Sequence, residues 1–193
     1  MLINILSHQK NSGKTTLALN IATKLSAEGY QVLLVTDNNN TNLMNWLDKL
    51  SQQASSLTVK TSPLDSLANH NDDYDFVLLD TNTDMQLSSD KTINLICLDF
   101  THLDTDYIST MDYLLTNSYI VPCKVPFNEG KTLKLLDQLV SYAGIEQVLD
   151  GIPKCERIHD LPLIGKTIWE LDNKPLQAAF TSIANSLITY LQS

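Results

Sequence analysis

The sequence predicts a doubly wound α/β fold, an open and mainly parallel sheet with helices on both faces. Three observations carry this. Short apolar runs alternate with segments whose apolar residues recur at helical spacing. The runs are apolar at consecutive positions, as strands buried on both faces require. Polar motifs, His8 to Thr16, Asp37 to Asn40 and Asp80 to Asp84, follow three of these runs. Open parallel sheets bind ligands at the carboxyl ends of their strands.

The elements follow in order. Leu2 to Leu6 is a short apolar run ended by a polar loop, a buried strand. From Lys14 to Glu28, Leu17, Ala18, Ile21, Ala22 and Leu25 fall on one helical face, and Gly29 is a fitting stop. "QVLLVT", Gln31 to Thr36, is a second strand, which completes a βαβ unit. Thr41 to Ala54 reads as helix through Leu43, Trp46, Leu47 and Leu50, and Leu57 to Lys60 as a weak strand. "DFVLLD", Asp75 to Asp80, is a strong buried strand ending in a carboxylate, and "INLICL", Ile93 to Leu98, is another. A helical stretch follows near Thr105 to Leu115. Tyr119 to Val125 reads as strand with an end or irregularity at Pro122. Leu133 to Tyr142 is helical, Gln147 to Ile152 a late strand, and Leu176 to Leu191 a closing helix with Phe180, Ile183, Leu187 and Leu191 on one face. No internal repeat or low-complexity linker interrupts the series.

Bulk properties narrow the class. A chain of 193 residues suits one domain, residues 1–193. Hydrophobic residues make up 43% and charged residues 18%, a balance for a packed globule rather than disorder. No apolar run approaches the ~18–20 residues that span a bilayer, and the start lacks a basic region before its short apolar run. Cys97, Cys123 and Cys155 are too few and too far apart for a disulfide framework or a zinc site, so small buried side chains in a reducing cytoplasm are expected. The net charge of −9 disfavours coating nucleic acid with the whole surface. The charge is uneven: 6 basic and 14 acidic residues lie up to Cys123, against 7 and 8 from Lys124 onward. Lys124, Lys131, Lys134, Lys154, Arg157, Lys166 and Lys174 form either a local basic face or an ordinary solvated surface.

"NSGKTT" lies between the first strand and the first helix. Such a loop presents unpaired N–H groups and the positive end of a helix dipole to an anion. Gly13 lets the backbone approach phosphate, Lys14 can reach the β- and γ-phosphates, and the Thr15 hydroxyl can ligate Mg²⁺. Asn11 and Ser12 are compact and polar, as the bend requires. Asp80, at the end of a distant buried strand, can hold an Mg²⁺-bound water.

These residues together resemble the ParA/MinD class of ATPases, whose phosphate loop is the deviant Walker A motif. "HQKNSGKTTLALNIATKLSAEGYQVLLVTDNNNTNLMNWL" is similar to that family's opening βαβ unit and first switch, and "YDFVLLDTNTD" to its Walker B segment. "VLDGIPKCERIHDLPLIGKTIWEL" resembles the stretch where a strand leads to an Ile-Pro at the adenine pocket. The resemblance implies ATP and Mg²⁺ as ligands, with Gln9, Lys10, Asn11, Ser12, Gly13, Lys14, Thr15, Thr16, Cys123, Pro153 and Lys154 around the nucleotide. It implies a homodimer formed on ATP binding, slow hydrolysis stimulated by a small ParB-like or McdB-like adaptor, and positioning of plasmid, chromosome or carboxysome cargo. Members bind nonspecific DNA or membrane. "LQAAFTSIANSLITYLQS" contains no Lys or Arg, which disfavours direct membrane binding and favours DNA, held through phosphates. The expected location is cytoplasmic, on the nucleoid when ATP is bound.

The chain departs from the family at three places. The signature lysine, four positions before the loop's last glycine, is Gln9 here, with Lys10 adjacent. Either Lys10 takes the role of contacting the partner subunit's phosphates, or the role is lost. The first-switch aspartate that orients the attacking water aligns with Asn38, beside Asp37; Asp37 is the residue expected to act, because an asparagine cannot accept the water's proton. The Asn that reads adenine in many members aligns with Cys123. The McdA group of the family also lacks the signature lysine and uses one from the C-terminal half; Lys154, after Ile152-Pro153, is the equivalent here unless it is an ordinary surface charge. Two other functions fit the same fold. A cofactor-maturation or metal-insertion NTPase is one, since "KNSGKTTL" also resembles small molybdenum-cofactor GTP-binding proteins, although the close cysteine pair of metal-inserting relatives is missing. A nucleotide-dependent binding module without hydrolysis is the other.

Overall fold

The computed structural model of the chain describes residues 1–36, 41–50, 57–61, 73–80, 87, 92–104, 108, 117–127 and 130–192. Six parallel strands form its sheet: β1 (Leu2–Leu6), β2 (Val32–Thr36), β3 (Leu57–Thr61), β4 (Phe76–Asp80), β5 (Thr92–Asp99) and β6 (Ser118–Cys123), in the order β3-β2-β4-β1-β5-β6. The helices are α1 (Lys14–Ala27), α2 (Thr41–Leu47), α3 (Gly130–Ala143), α4 (Leu161–Ile164) and α5 (Lys174–Gln192).

Consecutive strand residues feed opposite faces. Val32 and Leu34 enter the large core beneath α1 and α5, while Leu33 and Val35 join Val77 and Leu79 on the other face. That alternation is why β2 and β4 are buried at every position and apolar up to their last residues, Thr36 and Asp80. α1 and α5 pack Leu17, Ile21, Leu25, Phe180, Ile183 and Leu187 into the first core. α3 covers the opposite face through Leu135 and Leu139, against Leu98, Phe100 and Ile120. Helices on both faces fulfil the doubly wound expectation.

Asn4, the polar interruption in β1, is explained by its neighbours. Its Nδ2 donates to Asn94 Oδ1 at 2.9 Å in the next strand, and Asn94 in turn bonds both the N–H and the carbonyl of Leu87. The buried amide nitrogen of Asn4 is tolerated because its partner, Asn94, lies in the neighbouring strand.

The opening βαβ unit closes as its sequence dictates. Gly29, at φ 94°, ends α1, with Tyr30 N–H donating to Leu25 O at 3.2 Å. α2 is shorter than its apolar spacing suggests and gives way to a turn over Asp48 to Leu50. Residues 51–54 of that expected helix, and the expected helix over 105–115 apart from Ile108, lie outside the described residues.

The late strand over Gln147 to Ile152 is a correction. Ile145–Gln147 is a 3₁₀ turn, and the following chain makes no named strand, only the isolated bridges Ile120↔Val148, to β6, and Val125↔Pro153, just beyond it. Leu149 N–H donates to Ile120 O at 2.9 Å, but the next bond runs from Ile152 N–H to Pro122 O at 2.7 Å, one residue out of step. Pro122 has no N–H to offer, so the ladder slips where its donor is missing.

Candidate nucleotide-binding site

Three parallel strands set the site. In the sheet register Asp80 stands beside Ile5 of β1 and Thr36 of β2. The loop after β1 and the carboxylate ending β4 therefore share one edge, and the Thr36 hydroxyl donates to Asp80 O at 3.1 Å. Asp80 is buried, 2% exposed.

The loop from Ser7 to Gly13 is tightly folded. Gln9 N–H donates to Ser7 Oγ at 3.0 Å, and the Ser7 hydroxyl donates back to Gln9 O at 3.2 Å. Asn11 takes φ 57° and Gly13 φ 106°. Asparagine tolerates this left-handed geometry, so the loop turns here without a glycine. α1 begins directly after Gly13 with no side-chain cap on its first N–H groups, and Leu17 N–H donates to Gly13 O at 2.8 Å. Its N-terminus thus offers the free donors and partial positive charge that an anion requires. The Ser12 hydroxyl is buried in the loop and has no hydrogen-bond partner among the described residues.

An open cavity of about 1310 Å³ lies over this edge. Lys10, Asn11, Ser12, Gly13, Lys14, Thr15, Thr16, Asp80, Cys123, Pro153 and Lys154 all line it. Nearly every expected ligand-contacting residue is therefore brought together from four parts of the chain. Gln9 is the exception within the described residues: its Oε1 accepts the N–H of Asp99 at 2.6 Å and is drawn toward β5. Asp37 and Asn38 lie outside the described residues. Lys154 is half-exposed and pairs with Glu156 at 2.9 Å; its hydrogen bond and charge hold the Glu156 carboxyl below its ordinary range.

Two elements of the candidate site go beyond the sequence reading. Lys124, counted only toward a basic face, turns inward: its Nζ pairs with Asp99 Oδ2 at 2.6 Å and donates to Asn11 O at 2.6 Å. Burial favours a raised Asp99 carboxyl, but the Lys124 hydrogen bond and those from the Thr101 hydroxyl and N–H win and hold it below its ordinary value. Asp99 ends an apolar run as Asp80 does, and that shared pattern was the signal for it. The second element is a further part of the cavity wall, built by Asn42, Asn45, Trp46 and Lys49 of α2 and its turn, and by Pro162 and Leu163 of α4. The two halves of that wall are joined by Trp46 Nε1, which donates to Lys166 O at 2.9 Å.

Cys97 and Cys123 are buried, and Cys155 half-buried; all three are free thiols. Their hydrogen bond and burial push the Cys97 thiol well above its ordinary value, so it is a packed, protonated side chain. Among the described residues no helix is long and apolar enough to cross a membrane, and no cluster of three His, Cys, Asp or Glu side chains can hold a metal.

A strand, a Gly-Lys-Thr loop, a helix N-terminus and a strand-end aspartate on a parallel sheet define a phosphate-loop NTPase-like fold. The comparisons with known proteins narrow the class. Residues 3–174 match the family described as the CobQ/CobB/MinD/ParA nucleotide binding domain, and the chain belongs to that family. A MinD cell division protein from Aquifex aeolicus has a similar structure, with a TM-score of 0.71 and 18% identity over 97% of this chain and 96% of that one. A plasmid partition protein from Borrelia burgdorferi B31, bound to AMPPNP, superposes with a TM-score of 0.68 at 16% identity, covering 98% of each chain. Apo McdA from Cyanothece does so with a TM-score of 0.69 at 15% identity, covering 96% of this chain and 98% of that one. At these identities the likeness is one of fold. No curated protein sequence matches the chain.

Proposed function

We propose that this chain is a cytoplasmic ParA-like ATPase that dimerises on ATP, binds DNA nonspecifically and positions cargo, with hydrolysis stimulated by a small partner. The observation that carries the reading is the single cavity shared by the Gly13-Lys14-Thr15 loop, Asp80 and the Pro153-Lys154 segment. Family membership and the AMPPNP held by the Borrelia relative support a nucleoside triphosphate as the ligand.

In this reading the loop N–H groups and the start of α1 bind the phosphate chain, and Lys14 neutralises its charge. The Thr15 hydroxyl and the Asp80 carboxylate are hard oxygen donors, which suit Mg²⁺; so small a protein donor set fits an ion that keeps most of its waters. Bound there, Mg²⁺ supplies charge neutralisation at the phosphates. Cys123 and Pro153 flank the base, and Asp37 or Asn38 places the attacking water. Catalysis is then positioning and electrostatics rather than covalent chemistry.

The test is ATP binding by Lys14→Ala, measured calorimetrically beside the parent protein. Binding is expected to vanish. Unchanged affinity sinks the site assignment. One observation favours a second reading, a binding module without turnover: Gln9, at the signature position, is committed to the Asp99 N–H within its own chain. ATP-driven dimerisation without phosphate release separates that reading from the first.

A further inference from the structure

The loop is tied to the edge of β5 and β6 at two points. Asp99 and Cys123 are register partners at the ends of those strands, which sets Lys124, a residue of the cavity lining, beside Asp99. Lys124 adopts φ 55°, a backbone geometry that a lysine rarely takes. Main-chain bonds fix the residues on either side of it, from Phe100 N–H to Cys123 O and from Val125 N–H to Ile152 O, and its side chain is anchored as well. Nζ lies 2.6 Å from Asp99 Oδ2 and 2.6 Å from Asn11 O, so one ammonium bridges a carboxylate and the loop's main chain. Asp99 is 1% exposed and is fixed by Thr101, whose hydroxyl and N–H donate to Oδ1 at 2.6 and 2.9 Å. The second tie is the Asp99 N–H to Gln9 Oε1 bond.

The geometry has a direct effect on the loop. A peptide unit is planar and trans, so its C=O and the following N–H point in opposite directions. Lys124 holds the Asn11 carbonyl and thereby turns the Ser12 N–H away from itself. We infer that Lys124 is a positioning residue for the phosphate chain: acting within one subunit, it presets the loop's peptide orientation through Asn11 O, with Asp99 as its buried counterion. This rests on the nucleotide reading above.

Two variants test it. Lys124→Met keeps the length of the side chain and removes its charge; Lys124→Met with Asp99→Asn also removes the stranded carboxylate. Stability is read by urea denaturation, ATP affinity by titration calorimetry with Mg²⁺, and loop orientation by the Ser12 amide cross-peak of the ligand-free protein. The single variant is expected to bind ATP at least 10-fold more weakly. The double variant is expected to recover the parent's stability but not its affinity, and the Ser12 peak is expected to move in both. Recovery of affinity together with stability overturns the inference, as does affinity within twofold of the parent in the single variant. If the parent protein itself binds neither ATP nor GTP, the proposed function falls, and the Ser12 peak alone decides whether Lys124 orients the loop: an unmoved peak overturns that too.

Discussion

Gly165 closes α4 at φ 63°, and the space where a side chain would begin is occupied. A Cβ added there meets the backbone of Lys49, lying against Lys49 O, 2.6 Å from its carbonyl carbon and 2.7 Å from its Cβ. Gly165→Ala therefore carries two costs. Left-handed backbone costs an alanine about 1–2 kcal/mol. The contact with Lys49 adds a strain of about 1–3 kcal/mol, because a main-chain atom cannot swing aside as a side chain can. Lys49 N–H is itself bonded to Trp46 O at 3.1 Å, so moving Lys49 disturbs the turn that ends α2. The expected loss is about 2–5 kcal/mol, a fall of roughly 4–20 °C in Tm for a chain of this size. Equilibrium urea unfolding gives the stability change. Gly130→Ala is the internal control: among the described residues no atom lies within 4 Å of its added Cβ, so a gain of about 0.4–1 kcal/mol is expected. A Gly165→Ala protein within about 0.5 kcal/mol of its parent refutes the close approach of α2 to α4.

Two further outcomes follow from the tie between the loop and β5. Gln9→Lys restores the family's signature residue but replaces an acceptor with a cation, which strands the Asp99 N–H; a loss of about 1–3 kcal/mol is expected, with no gain in ATP affinity, checked by urea unfolding and calorimetry. Asp99 is held below its ordinary value of 3.8 when folded, so its contribution to stability is present above that value and is lost as pH falls through the lowered one. The stability gap between the parent and Asp99→Asn is therefore widest near neutral pH and closes in acid; a gap that stays constant from pH 6 to pH 3 contradicts the pairing with Lys124.

The frame of the fold was legible because it rests on local signals. Apolar runs marked β1, β2, β4 and β5, Gly29 stopped α1 where its sequence says, and Asp80 ended its strand at the ligand edge. The Gly13-Lys14-Thr15 string and Asp80 found each other in one cavity because both follow strands of a parallel sheet. What was not legible depends on which strands are neighbours. Nothing in the sequence announces that β5 lies beside β6, and only that adjacency brings Lys124 to Asp99 and to Asn11, 113 residues away. The failed strand over 147–152 has the same origin: its composition suits a strand, but its partner presents Pro122. The position of Gln9 in the loop suggests a side chain facing a ligand, whereas its amide oxygen is drawn to the main-chain donor of Asp99.

The two tryptophans sit in unlike places, and that gives the molecule its own optical labels. Trp46 is in the cavity wall, bonded to Lys166 O, while Trp169 rests against the flank of α1, with its indole N–H on Asn20 O and Thr23 Oγ1 and the Lys24 ammonium 5.5 Å from its ring. Trp46→Phe leaves an emitter that senses the α1 flank, and Trp169→Phe leaves one that senses the chamber. The pair of single-tryptophan proteins can thus follow filling of the chamber and repacking of the helix separately, by emission alone and without an attached dye.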